Sequence, residues 1–395
     1  MANTNLGNAK NAKNDEFYTQ YSDIQKEINA YLDYNPNVFR DKTILLPCDD
    51  PEWSNFTKFF AQNFEYLGLK KLISTSFAPE SKKYKMPYQP TLFETTQPYY
   101  DVDKSKTNGK IFVLTKDSNG DGHININDLE WHYLAGDGDF LSDEIKKLRD
   151  EADFIVTNPP FSLFKEFMAW LMESSKKFII IGNKNCITYK EIFPLIKENR
   201  MWIGRTPMTQ DLLFEIPKFL ESSFVEKGKK GSNYKIINGK IYGRSTSVWL
   251  TNVEHGRRHE PLVLMTMADN FKHSKHKDIK EKKEYEHYDN YDAIDIPYTD
   301  AIPSDYDGIM GVPISFLDKY CPEQFEILTL GIGEEFLKPS KFYEYFADPI
   351  TGKPNKEKRN YHLWIRDEEG KHLTNYGYRV RPVYPRIIIR KKQAK

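Results

Sequence analysis

The residues best suited to chemistry stand in the run DFIVTNPPFSLFKEF, residues 153–167. Proline removes a ladder donor and normally ends a strand. Pro159 and Pro160 therefore close the strand-forming FIVT and leave Asn158 at its end. The side-chain oxygen of Asn158 and the carbonyl of Pro159 are two acceptors that the prolines can hold in fixed convergence. Aimed at the hydrogens of a delocalised exocyclic amine on a nucleobase, they favour a more tetrahedral and more nucleophilic nitrogen. Phe161 offers a flat face for a stacked base, worth roughly 1–3 kcal/mol on comparable platforms. A base within a duplex cannot reach such a site and must be turned out, at a cost of a few kcal/mol. Stacking and the two amine contacts would offset that cost. A plain proline turn has the same four letters, but the position after DFIVT and before an apolar helical segment favours the arm.

An arm of this kind needs a strand to carry it. Residues 23–34, DIQKEINAYLDY, place apolar residues at helical spacing. DKTILLPCDD reads as a buried strand broken at Pro47, followed by a helix with Asp50 as cap and Pro51 in its first turn. KKLISTSFAP and GKIFVLTK read as strands on either side of an irregular insertion rich in Pro, Tyr and Lys. ADFIVTNPPF and KKFIIIGNKN are further strands, with the amphipathic SLFKEFMAWLMESS between them. This alternation implies parallel strands joined by crossover helices. Ligands of such open sheets bind beyond the C-terminal strand ends. Three unusual clusters fall at such ends: CDDPEWSNF at 48–56, GDGDF at 136–140 and NPPF at 158–161. A surface Gly-Asp turn is the plainer account of GDGDF. Beyond about residue 200 the pattern becomes irregular, and residues 1–14 read as disordered.

The chain is long enough for a large core and two domains. Its 57 basic and 57 acidic residues cancel, so global charge points to no polyanion. The end differs: YRVRPVYPRIIIRKKQAK holds four arginines and three lysines with no acid, interleaved with strand formers, a pattern open to phosphate contact. Three cysteines, Cys48, Cys186 and Cys321, argue for a reducing compartment without disulfides. The polar start carries no signal peptide, and no run of about 18 apolar residues suggests a membrane span. DSNGDGHININD, residues 117–128, fits a calcium-loop template: Asp117, Asn119 and Asp121 at positions one, three and five, Gly122 at the turn, Asp128 last. The strand before it is not the helix of an EF-hand, and the same residues favour tight turns without metal. The metal is left unknown.

These residues carry a family resemblance. TNPPF looks like the catalytic motif of amino-methyltransferases that use S-adenosylmethionine. NDEFYTQYSDI, LLPCDDPEWSNFTKFF, GDGDFLSDE, EADFIVTNPPFSLF, IIIGNKNCITYKEIFPLIKEN, NVEHGRRHEPL and YDGIMGVPISFLDKYCPEQFEI all resemble the EcoRI-type adenine-specific DNA methyltransferase family. The resemblance implies an α/β fold: a Rossmann-like, S-adenosylmethionine-dependent methyltransferase sheet with an irregular C-terminal target-recognition region. Residues 15–200 would be catalytic, with an insertion at 81–131, and residues 201–395 would recognise DNA.

The implied reaction is direct methyl transfer to adenine N6, with Asn158, Pro159, Pro160 and Phe161 as the catalytic arm. Phe17 and Thr19 would line the methionine part of the cofactor, Asp49 and Asp50 would stand in the first cofactor loop, and Asp139 with Phe140 would hold the cofactor's adenine. The usual Gly-x-Gly is missing, a departure the EcoRI-type family shares, and STSFAP lacks the usual ribose-binding acid. Pro47-Cys48 could suggest a cytosine-C5 enzyme, but it precedes the acidic turn, while NPPF holds the catalytic strand end.

Arg244, Arg257, Arg258, Lys272, Lys275, Lys277, Arg379 and Arg381 are candidates for phosphate contact, although FKHSKHKDIKEKKEYEHYDN reads better as a solvated charged loop. The implied partner is double-stranded DNA, with no membrane, in a cytoplasmic, nucleoid-associated, prokaryotic or phage setting. The implied state is a monomer. The implied context is restriction-modification, with an endonuclease sharing the site without direct contact, or an orphan modification enzyme. Methylation of RNA or of a protein glutamine, and a decayed DNA-binding scaffold, are the alternatives.

Overall fold

A computed structural model describes residues 18–49, 54–81, 92–96, 98–210, 212–216, 221–222, 225–226, 230–231, 233–355 and 360–393. They form two compact units. The first takes the chain up to Cys186 and again from Met201 to Gly256; the second takes Ile187–Arg200 and the chain from Arg257 onward. Among the described residues no helix is long and apolar enough to cross a membrane.

In chain order the strands of the first unit are β1 (Tyr18–Thr19), β2 (Thr43–Leu46), β3 (Lys71–Thr75), β4 (Lys110–Leu114), β5 (Glu130–Tyr133) and β6 (Phe154–Thr157). They continue with β7 (Lys177–Asn183), β8 (Trp202–Ile203), β9 (Leu212–Glu215), β10 (Tyr234–Ile237), β11 (Lys240–Ser245) and β12 (Ser247–Thr251). Eight of them make one mixed sheet in the order β5-β4-β3-β2-β6-β7-β12-β8. Its centre, β3-β2-β6-β7, is parallel throughout. Residues of TILL and FIVT are buried along their whole length, as strands covered on both faces require. Four main helices accompany the sheet: α1 (Tyr21–Tyr34), α2 (Asn55–Gln62), α3 (Asp143–Glu151) and α4 (Phe164–Met172). On α1 the buried positions are Ile24, Glu27, Ile28 and Tyr31, one stripe at helical spacing. A Cβ on Gly182 of β7 would stand 2.8 Å from Phe164 Cζ, so the bare glycine lets the first ring of α4 settle on the sheet.

Two expectations change here. The first concerns β4, which runs antiparallel to β3, and β5, which runs antiparallel to β4. The insertion leaves β3 and returns at the same sheet end, where Ser76 N donates to the Lys110 carbonyl at 2.9 Å; a strand starting there must run back. The second concerns the boundary near residue 200. Residues 247–251 pair with β7 along five positions and extend the first sheet, while β9 and β11 join β1 in a separate four-stranded sheet. The irregular pattern after residue 200 is thus, up to Gly256, part of the first unit.

The second unit carries β13 (Ile294–Asp295), β14 (Met310–Pro313), β15 (Phe325–Leu330), β16 (Phe346–Ala347), β17 (Pro354–Asn355), β18 (Trp364–Arg366), β19 (His372–Thr374), β20 (Arg379–Pro382) and β21 (Arg386–Lys391). Two sheets result, β13-β14-β21-β15 and β17-β16-β19-β20-β18. The basic tail is therefore not a free end. Ile387, Ile388 and Ile389 are fully buried in β21, between β14 and β15. Arg386 pairs with Asp295 at 2.8 Å, Arg390 with Glu326 at 2.8 Å and Lys391 with Asp307 at 3.1 Å.

A buried carboxylate gathers part of this unit. Asp289 accepts from Tyr343 and Tyr378 hydroxyls and from Arg366 Nε at 2.7 Å each, and from Lys341 Nζ at 3.0 Å. Burial works to raise its pKa, but these donors hold it at about 2. Its folded pKa thus lies below the ordinary carboxylate value of about 3.9, so its contribution to stability is complete above that value and lost as pH falls toward the folded one. Asp289→Asn is expected to melt at lower temperature at neutral pH and to lose less of its melting temperature than the wild type between about pH 5 and pH 2. Thermal melts across that range check this.

Candidate active site

In the central sheet β2 has parallel neighbours on both sides, β3 and β6. The chain goes from β2 to β3 in one direction and later returns to β6 on the other side. That is a topological switch point, where a crevice opens beyond the carboxyl ends of the strands. The β2–β6 ladder stops at Leu45↔Ile155, short of both strand ends. Asp49 follows one end and Thr157-Asn158 the other.

Hydroxyls line this place. Asp49 is buried; its Oδ1 accepts from Ser54 Oγ at 2.8 Å and its Oδ2 from Thr157 Oγ1 at 2.6 Å. Ser74 Oγ donates to the Asp49 carbonyl at 2.7 Å and lies 2.8 Å from Thr57 Oγ1, while Thr75 Oγ1 donates to the Pro47 carbonyl at 3.1 Å. Ser54 also caps α2, accepting from Phe56 N at 3.0 Å. The described part of α2 opens at Asn55; Asp50 and Pro51, expected to start this helix, lie outside the described residues.

The arm follows directly. Asn158 and Pro160 are half-buried and Pro159 is buried. The Pro160 backbone is extended, at φ −61° and ψ 119°, and its carbonyl accepts from Leu163 N at 3.0 Å. The chain then makes a single 3-10 turn, Phe161–Leu163, before entering α4. Phe161 is half-buried and packs against the main core of the unit. The arm is thus gripped at both ends, by strand pairing before it and by helix packing after it.

The other expected contacts divide. Thr19 lies in β1, 3% exposed, and its Oγ1 has no hydrogen-bond partner among the described residues. A buried hydroxyl in that state costs free energy unless a ligand or further group meets it. Its carbonyl accepts from Asn55 Nδ2 at 2.8 Å, which ties β1 to the first turn of α2. Phe17 and Asp50 lie outside the described residues. Asp139 is half-buried, and its Oδ1 accepts from Leu141 N at 2.9 Å in a tight turn. Gly138 beside it has φ +81°, and a Cβ there would stand 2.2 Å from the Ser76 carbonyl. GDGDF is therefore a glycine-dependent turn pressed against the end of β3. Phe140 is 5% exposed, with its ring edge-on to Phe167 at 5.4 Å and Trp170 at 5.9 Å. Its ring contacts are core contacts with α4. The sequence reading missed Ser54, Ser74 and Thr157; the signal for the last two was a hydroxyl residue at the C-terminal end of an otherwise apolar strand, and for Ser54 its place just before a helical run.

Burial pushes the Cys186 thiol up to about 12 and also raises that of Cys321, so neither is poised as a thiolate. In the calcium-like loop the carboxylates close tight turns by accepting from backbone N–H groups. Asp117 accepts from Gly120 N at 2.6 Å and Gly122 N at 2.8 Å; Asp128 accepts from Ser118 N at 2.9 Å, Asn119 N at 3.1 Å and Asn125 N at 2.9 Å. Those bonds hold the Asp128 carboxyl below its ordinary pKa. Among the described residues no three His, Cys, Asp or Glu side chains are grouped to hold a metal.

The phosphate candidates also separate. Arg258 is buried, with Nη2 on Asn199 Oδ1 at 3.0 Å. Arg381 pairs with Glu286 at 2.8 Å and Asp367 at 3.2 Å, and Lys275 with Asp300 at 2.7 Å. Arg379 is exposed, with one long bond of 3.3 Å to the Glu368 carbonyl. Lys272 and Lys277 are exposed and fall on short helices, Met267–His273 and Lys277–Lys280, rather than on a loop. Arg244 and Arg257 are half-buried.

A mixed sheet with a parallel core and an Asn-Pro-Pro-Phe arm at its switch point has the form of a methyltransferase. The model of the family described as adenine-specific methyltransferase EcoRI matches residues 5–392. Among curated proteins, the type II methyltransferase M.EcoRI of Escherichia coli is 38% identical over 352 residues, 88% of this chain and 96% of its own. The type II methyltransferase M.MpnI of Mycoplasma pneumoniae is 32% identical over 390 residues, 98% of this chain and 97% of its own. No solved structure matches. The chain belongs to the EcoRI family of adenine-specific DNA methyltransferases.

Because backbone N–H groups already tie down the Asp117 and Asp128 carboxylates, a chelator is expected to leave the melting temperature unchanged, whereas Asp128→Ala lowers it. Differential scanning calorimetry with and without added calcium checks both outcomes.

Proposed function

We propose that this protein transfers a methyl group from S-adenosylmethionine to N6 of an adenine turned out of double-stranded DNA. One observation carries the reading: the Asn158 arm leaves β6 at the switch-point crevice and is joined there to the Asp49 loop by the Thr157 hydroxyl. The cofactor supplies an electrophilic methyl on a sulfonium. Asp49 and Thr19 are the described residues proposed to hold it, with Phe17, Asp50 and Asp139. The orphaned Thr19 hydroxyl supports a polar ligand at that point. A carboxylate oxygen can accept more than one donor, so the two hydroxyls on Asp49 are compatible with an ammonium beside them.

In this reading Asn158 Oδ1 and the Pro159 carbonyl accept the two amine hydrogens of the adenine. The nitrogen lone pair is thereby directed at the methyl group. Phe161 stacks the extruded base, and its packing against the core keeps the ring from following the substrate. Phe140 acts as a wall behind the cofactor site through its hold on α4. Transfer is direct, without a covalent enzyme intermediate.

The part of residues 201–395 that lies outside the central sheet is proposed to recognise the duplex, with Arg379 touching phosphate, in a monomer that treats one strand at a time. The names of the type II relatives support a restriction-modification setting in a bacterial cytoplasm, with an endonuclease that reads the same site.

Labelled cofactor offered with duplex DNA, RNA and protein is expected to mark adenine in duplex DNA; label in RNA or glutamine alone would overturn the reading. Asn158→Ala is expected to slow transfer about 10²–10³-fold, the range seen when one preorganised polar contact is removed, with DNA binding retained. Arg379→Ala is expected to weaken DNA binding and to reduce the salt slope by about one, while Arg381→Ala, already paired within the protein, changes the slope less. Titrations at several salt concentrations check the pair.

A further inference from the structure

We infer that Thr157 is a positioning residue for methyl transfer: its hydroxyl, bonded to Asp49, sets Asn158 at a fixed distance from the cofactor loop. The inference rests on the reading that Asn158 grips the amine.

Four observations carry it. The ladder between β6 and β7 runs on to Thr157↔Ile180, but that between β2 and β6 ends at Leu45↔Ile155, so pairing does not set the spacing of Thr157 from the loop after β2. Thr157 Oγ1 donates to Asp49 Oδ2 at 2.6 Å across that gap. Both side chains are buried, so water does not compete for the bond. Asp49 is itself held from the other side, by Ser54 at the start of α2 and, through its carbonyl, by Ser74 of β3. The threonine therefore bonds to a braced acceptor, and the next residue in the chain is Asn158.

Backbone geometry converts this into catalysis. Thr157 is the last residue of β6, and prolines at 159 and 160 restrict the torsions after it. With the freedom downstream removed, a shift at Thr157 is passed to Asn158. Near-attack geometry is sensitive on this scale: a displacement of about 1 Å can cost about 10²-fold in rate. The bond joins two groups of the protein itself, so its proposed effect is on the orientation of Asn158.

The test compares Thr157→Val, which keeps the shape and removes the hydroxyl, with Thr157→Ser, which restores it. Each is assayed at saturating DNA and cofactor, with rates normalised to the fraction of protein that binds S-adenosylmethionine. Thr157→Val is expected to lower kcat about 10–100-fold with KM for both substrates within about threefold, and Thr157→Ser to recover kcat. A mere stability role would lower the melting temperature and the binding-competent fraction but leave normalised kcat unchanged. That outcome overturns the inference, as does a serine variant as slow as the valine one. Thr157→Ala is read alongside, so that a misfolded valine protein does not decide the matter; it is expected to show the same kcat loss. Wild-type protein that binds the cofactor yet marks no duplex adenine would overturn the functional reading itself. Wild-type transfer with an unimpaired valine variant would overturn this inference alone.

Discussion

A carboxylate in a protein interior must be surrounded by donors, and at the head of the central sheet those donors come from different elements. Asp49 takes one hydroxyl from the cap of α2 and another from the end of β6. Parallel strands at a switch point diverge because their connections leave in opposite directions, so the crevice that can admit a ligand is also the place where pairing fails. The Asp49–Thr157 bond spans that place. An apolar pair there would bury area without setting a direction, whereas a short charge-assisted bond fixes both length and angle.

Glu27 repeats the device at the flank. It is fully buried on α1 and accepts from Tyr31 OH at 2.9 Å, Arg205 N at 2.6 Å, Thr206 N at 2.8 Å and Thr206 Oγ1 at 2.6 Å. Desolvating a carboxylate costs several kcal/mol even after relaxation. The four donors offset that cost and fix the direction of the side chain. What it defines is the position of the turn at 204–206, which precedes β9, and β9 in turn pairs with β1 and its Thr19. The N-terminal element and the loop after β8 are thereby held by one side chain.

In the second unit charge is used inwardly. Arg386, Arg390 and Lys391 sit on a strand whose isoleucines form the core, and each meets an acid. Arg366 and Lys341 converge on Asp289 and lie against the Tyr378 ring at 4.2 Å and 5.5 Å. A cluster of cations in a sequence is therefore a poor guide to a polyanion surface when strand formers separate the charges. In β21 three consecutive isoleucines are buried and the charges stand at the two ends of the strand, where acids from other segments reach them.

Sequence alone determined what depends on neighbours along the chain. The apolar runs at 43–46, 71–75, 154–157 and 177–183 are strands because near-continuous β-branched and aromatic residues suit a sheet covered on both faces. The helical spacing at 23–34 made α1, and the prolines at 159–160 end β6 and leave Asn158 at its tip. The polar arm was legible for that reason, and so was the family. Tertiary structure decided what depends on partners far apart in sequence. Strand direction at β4 followed from where the insertion returns, and the tail became a core strand because β14 and β15 flank it. Phe140 is a packing residue because α4 covers it. Thr157 gained its role from Asp49, more than a hundred residues earlier, since hydroxyl and carboxylate meet only when β2 and β6 lie side by side. A hydrogen bond has a range of about 3 Å, and no local pattern reports which distant group will fall within it.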